Sequence, residues 1–167
     1  MGPAQGLNNL IQLAKNAQFK NNDWQFLVLG DGAEKEALIK QILELKLQNI
    51  QIENFVSPKE YEQILSGCHA GLVFLSEYNK TPVVPGKILG YMASKKPVFC
   101  VLNKESDAHD IIKAAKCGKS IVSSFGDNEI ADAFDEFCNH NANLHEQGSN
   151  GYNYALKHYS IDKIVQR

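Results

Sequence analysis

The stretch Pro85 to Leu102, PGKILGYMASKKPVFCVL, constrains the fold more than any other part of this chain. It ends in Val98-Phe99-Cys100-Val101-Leu102, an unbroken apolar run of the kind a strand shows when both its faces are covered. Before the run, Ile88, Leu89, Met92 and Ala93 recur at helical spacing, which predicts a helix with one face packed on a sheet. Pro85 suits the first turn of that helix, where its missing N–H has no partner to lose. The tight Lys-Lys-Pro turn at 95–97 then links helix to strand.

The rest of the chain repeats the alternation. Leu7, Leu10, Ile11, Ala14 and Ala17 mark an opening amphipathic helix. Gln25 to Leu29 reads as a strand stopped by Gly30-Asp31-Gly32, and Ala33 to Leu47 as a helix with Leu38, Ile42 and Leu45 inward. Ile50 and Ile52 mark a strand ending near Phe55 and Val56, and Ser57-Pro58 caps a short helix to Ser66. Ala70 to Leu75 is a buried strand, followed by a polar loop. Beyond the central stretch, Ser106 caps a helix to Lys116, with Gly118 as its stop. Ile121 and Val122 sit in a short strand, Asp127 or Asn128 starts a helix carrying Phe134 and Phe137, and helical pieces span 148–158 and 160–166. Helices alternating with strands define an α/β, doubly wound, Rossmann-like parallel sheet with helices on both faces. Such a unit opens on a strand that lies in mid-sheet, whereas this chain opens on a helix. The expectation is a fragment whose first strand is missing, or whose place is filled in some other way.

Bulk properties exclude more than they assert. A net charge of −2 over 167 residues gives no electrostatic reason for a nucleic-acid partner. The four cysteines, Cys68, Cys100, Cys117 and Cys138, match no metal or redox spacing, and the plain expectation is reduced thiols in the cytoplasm. The histidines show no paired spacing, so no metal site is expected. No apolar run approaches the length that spans a bilayer.

Lys87 is the residue out of place. It stands in a first helical turn, where the macrodipole disfavours a cation by roughly 0.3–1 kcal/mol. Two readings fit: a solvated lysine that tolerates the cost, or a lysine facing an anion held by the free N–H groups of the helix start. In an open α/β sheet the ligand lies beyond the carboxyl ends of the strands, so the loops to inspect are 1–7, 30–33, 55–59, 76–87 and 103–107. In the last of these, Glu105 reads as a surface charge.

VVPGKILGYMASKKPV resembles the donor-site segment of the retaining GT-B glycosyltransferases of the large family 4 type, which commonly read V-x-P-S-K, two apolar residues, E-Y, then A-x-G-K-P-V. AAKCGKSIV and GYNYALKHYSIDKI resemble the family's downstream segments, and Gly30-Asp31-Gly32 its glycine turn. The resemblance implies one half of a GT-B fold: a single nucleotide-sugar-binding domain over 1–167, the acceptor domain lying on an amino-terminal part outside this chain. It implies transfer of a sugar from a nucleotide diphosphate sugar, bound as substrate with no cofactor, in surface polysaccharide or glycolipid synthesis. Phe55, Val56 and Ser57 then fall to the base, Pro85, Gly86 and Lys87 to the diphosphate with Lys87 as the catalytic group, and Gly90 to the ribose position. Partners implied are the nucleotide-sugar donor and the amino-terminal domain, with room for peripheral membrane association of the full-length, cytoplasmic protein.

The departures are specific. Gly86 replaces the family's serine, Pro82 and Gly90 stand where two glutamates are common, Gln5 where Lys or Arg precedes the first helix, and Lys95 where a glycine ends the helix. A glutamate on two ribose hydroxyls would contribute roughly 1.5–3 kcal/mol, which Gly90 cannot supply. The alternative is therefore a degenerate, non-catalytic relative that keeps the fold as a binding or interaction domain. A third, a related sugar-epimerase half, would call for a catalytic carboxylate or histidine pair at the cleft, and the sequence offers none.

Overall fold

The computed structural model describes Gly2, Tyr78 and residues 6–20, 22–76, 81–139 and 143–159. Expectations for Met1, Gln5 and the helical piece at 160–166 lie outside the described residues. In chain order the elements are α1 (Asn8–Phe19), β1 (Phe26–Leu29), α2 (Lys35–Glu44), β2 (Ile50–Glu53), α3 (Pro58–Gly67) and β3 (Gly71–Phe74). Then come α4 (Gly86–Ala93), β4 (Val98–Leu102), α5 (Ala108–Ala115), β5 (Gly118–Val122), α6 (Asp127–Asn139) and α7 (Leu144–Tyr159). Every strand pairing is parallel. The strands form two ladders, β1-β2 and β3-β4-β5. Among the described residues no strand joins β1 to β3.

The central prediction, a strand covered on both faces, is met at β4. All five of its residues are buried. Phe99 and Val101 enter one hydrophobic cluster with α1 and α6, while Val98, Cys100 and Leu102 enter another with α4 and α5. That split is the period of two written into the core. Phe99 meets the Phe134 ring edge-on at 5.1 Å, and Phe134 also packs on Phe26 at 5.7 Å, so α6 bridges the two ladders on one face.

Helix starts follow the sequence closely, helix ends less so. Ser57 caps α3 through a full capping box: its Oγ accepts from Glu60 N–H, and the Glu60 carboxylate accepts from Ser57 N–H at 2.9 Å. Pro85 proves to be the N-cap of α4 and not its first helical residue, with an extended ψ of 125°. Proline fixes φ alone, so its φ of −61° serves either position. The expected buried face of α4 is narrower than its sequence suggests: Ile88 and Met92 are buried, Leu89 is half-buried and Ala93 exposed.

The stop after α5 is Lys116, not Gly118. Lys116 takes a left-handed φ of 49°, and Lys46 and Lys95 do the same after α2 and α4 at 51° and 55°. Each closes its helix by the same pair of bonds, as in Lys96 N–H to Tyr91 O and Lys95 N–H to Met92 O. This is the turn that favours glycine. The strain expected at Lys95 is therefore real, and its ammonium lies over the Tyr152 ring at 4.8 Å. Gly118 has a different duty, opening β5 where a Cβ would lie 1.9 Å from the Val98 carbonyl oxygen.

Candidate functional site

Because every strand is parallel, all their carboxyl ends face one way, and the loops predicted to carry chemistry gather there. α4 starts at that edge. Its first turn holds no acidic residue, and Pro85 offers no side-chain cap, so the N–H groups at its start have no side-chain acceptor. Lys87 extends from this turn and is exposed. A cation placed where the macrodipole is positive leaves the whole helix end complementary to an anion.

The loop feeding α4 is held from below. Ser106 Oγ donates to Val83 O at 2.7 Å, and the buried Asn103 contributes its Nδ2 to Thr81 O at 3.5 Å. His109 carries this scaffold into β5. Its Nε2 lies 3.1 Å from Asn103 O and its Nδ1 2.9 Å from Ser120 Oγ. A carbonyl can only accept, so Nε2 carries the proton and Nδ1 receives the serine hydroxyl. The sequence reading weighed the 103–107 loop for Glu105, which is exposed, and missed Asn103, Ser106 and His109 as anchors. A buried asparagine directly after an apolar strand was the available signal.

The largest cavity, about 940 Å³, reaches this edge. Phe55 and Lys87 line it together with Gly30 and Asp31, so three separate predicted loops share one wall system. Val56, Ser57, Pro85, Gly86 and Gly90 do not line it. Phe55 is 82% exposed, an aromatic face with nothing yet stacked on it. Ser57 has its hydroxyl engaged by Glu60, and that bond holds the Glu60 carboxyl below its usual range. Gly90 is exposed in mid-helix, and a Cβ there would meet nothing within 4 Å, so the position has room for the glutamate the family carries.

Tyr91, next on the same helix, also lines the cavity and was not singled out from sequence. Burial, with the neighbouring Tyr61 hydroxyl, pushes its phenol well up, so it stays a neutral hydrogen-bonding group. Its ring lies against Gly71, where a Cβ would come within 2.3 Å of the ring carbons. Among the described residues, no group of three His, Cys, Asp or Glu side chains could hold a metal ion. Nor is any described helix long and apolar enough to cross a membrane.

A doubly wound parallel architecture with an anion-seeking helix start at the strand ends defines a Rossmann-like class of ligand-binding domain. Residues 1–154 match the family described as Glycosyl transferases group 1, and the chain belongs to it. The chain is 30% identical over 121 residues to the probable glycosyltransferase WbjE of Pseudomonas aeruginosa, covering 71% of this chain and 29% of that protein. Among solved structures, TarM of S. aureus, as a mutant in complex with fondaparinux, alpha-GlcNAc-glycerol and UDP, superposes with a TM-score of 0.82 at 22% identity. That match covers 99% of this chain and 32% of TarM. The C-terminal domain of LpcC, a group 1 family protein from Francisella tularensis, gives 0.76 at 20% identity, covering 96% of this chain and 83% of that one. The fold is thus the Rossmann-like half of a GT-B enzyme, and the chain spans about a third of the full-length relatives it matches.

Proposed function

We propose that this chain is the donor-binding half of a retaining glycosyltransferase that takes its sugar from a nucleotide diphosphate sugar. The observation that carries the reading is Lys87: a lysine in the uncapped, acid-free first turn of α4, lining the cavity at the carboxyl edge of the sheet. As the bond from the sugar to the diphosphate breaks, negative charge grows on the leaving phosphate. Lys87 and the α4 N–H groups would stabilise that charge, and a donor placed where charge develops lowers the barrier more than one placed on the ground state. Phe55 offers an aromatic platform for the base. The family shared with WbjE and the UDP recorded with TarM support a uridine or related nucleotide as the carrier.

Gly90 leaves the ribose with no carboxylate from this helix, so donor affinity in this chain is low. The acceptor, in a polysaccharide or glycolipid pathway, would be held by the amino-terminal domain of the whole protein, which works in the cytoplasm with room for peripheral contact with a membrane. Calorimetric titration with UDP and with GDP tests the assignment. The expected result is binding that falls at least tenfold in Lys87→Ala and rises in Gly90→Glu, the carboxylate being worth roughly 1.5–3 kcal/mol. Equal affinity in the parent and Lys87→Ala would remove the lysine from the site.

A further inference from the structure

The same cavity has a second part that no donor explains. From Gly30, Asp31 and Lys87 at the carboxyl edge it continues between β1 and β3 to Asp23, Trp24 and His69 at the amino edge, the full height of the strands. Its flanks are apolar, with Leu10 of α1 and Phe134 and Phe137 of α6, and with Leu65 of α3 and Tyr91 of α4. α1 and α6 belong to one core cluster and α4 to the other, so the slot is roofed on both faces of the sheet plane.

Its side walls are two bare strand edges. Phe26 and Gly30 donate to Asn49 O and Glu53 O at 2.8 and 3.1 Å, so β1 spends these positions on β2. Gly71 and Leu75 donate to Pro97 O and Val101 O at 2.9 and 2.8 Å, so β3 spends its own on β4. Backbone groups alternate sides along a strand, which turns the N–H and C=O groups of Leu27 and Leu29, and of Leu72 and Phe74, toward the slot. Neither edge has a ladder partner among the described residues. Facing rows of backbone donors and acceptors inside an apolar cleft are costly when unfilled and are a template for an added strand.

We propose that the slot takes one parallel β-strand of about five residues, apolar on both faces, and that this strand is the segment of the same polypeptide directly preceding residue 1. Chain direction selects the occupant. Gly6 packs on the carboxyl end of β3, where a Cβ would lie 3.2 Å from Leu75 C and O, and α1 begins two residues later. The chain thus enters α1 from the end of the slot at which a strand parallel to β1 would finish. Strand, α1 and β1 then make one right-handed crossover of the usual kind. A strand from a second copy would have no such covalent path out of the slot.

The test compares amide hydrogen exchange in the 167-residue chain with the natural polypeptide extended by the ten residues preceding residue 1. Exchange at Leu27, Leu29, Leu72 and Phe74 is expected to slow at least a hundredfold in the extended protein. A proline placed in the middle of the added apolar run is expected to reverse the slowing, because it removes a ladder donor. Should the extended protein not fold, a synthetic peptide of the same ten residues titrated into the 167-residue chain is expected to protect the same four amides. Unchanged exchange at these amides, a preceding segment with no apolar run, or protection of the shorter chain that rises with its concentration would each overturn the proposal, the last by showing a second copy in the slot.

Discussion

The two ladders of this molecule are built from similar strands and end in different states. β4 is flanked by β3 and β5 and roofed on both faces, and every one of its residues is buried. β1 has the comparably apolar sequence Phe-Leu-Val-Leu, yet only Phe26 is buried and Leu27 is 42% exposed. The helices follow the same division: α4 and α5 bury Ile88, Met92 and Ile112, while α2 buries Leu38 alone and leaves Leu43 71% exposed. Apolar sequence proposes a buried strand; coverage of two faces and two edges makes one. The difference lies beside the slot.

That comparison can be broken by mutation, and the largest effect belongs to the closed ladder. Phe99→Ala is expected to cost about 3–5 kcal/mol in urea unfolding, because Phe99 is fully buried against Phe134 and Phe137. A cost near 1 kcal/mol would mean that the β4 core collapses around the cavity. The next effect has the opposite sign. Lys46→Gly is expected to stabilise by about 1 kcal/mol, since a left-handed backbone is costly for any side chain with a Cβ. Lys95→Gly should gain less, because it gives up the contact with Tyr152, worth about 0.5–1 kcal/mol at an exposed site.

Leu27→Ala, on the open edge, is expected to cost well under the value for Phe99, about 1 kcal/mol or less, given a side chain that keeps much of its contact with water. The smallest effect is a pH slope. Burial pushes the Cys117 thiol up to about 11 and the Cys138 thiol up to about 12, above the ordinary value of 9.0. The fold prefers these thiols neutral, so that preference is intact below pH 9 and is lost as the unfolded chain releases protons between about pH 9 and 12. Cys138→Ala, which removes a group bordering the slot, should flatten part of that slope in thermal melts between pH 8.5 and 10, a range chosen at roughly the thiol's ordinary titration.

The alternation of elements, the doubly covered strand at 98–102 and the capping of α3 at Ser57 were all readable in the sequence, because periodicity and cap chemistry are local. The helix stops were not. Lys46, Lys95 and Lys116 occupy a conformation that lysine avoids, and only the packing of the following strands dictates it. The candidate site was half legible. Lys87 and Phe55 announce themselves by type and position, whereas the ties of Ser106 to Val83 and of His109 to Asn103 and Ser120 join residues 6 to 23 positions apart across loops. No pattern within one element encodes those contacts.

The most direct test of the central claim is a map of amide chemical-shift changes as UDP is titrated into the 15N-labelled chain, a measurement that tolerates weak binding. The account predicts the largest changes at Gly86, Lys87 and Ile88, with smaller ones at Phe55 and Gly30, and their loss at the α4 start in Lys87→Ala. Shifts confined to other surfaces, with the first turn of α4 unmoved at saturating UDP, would contradict it.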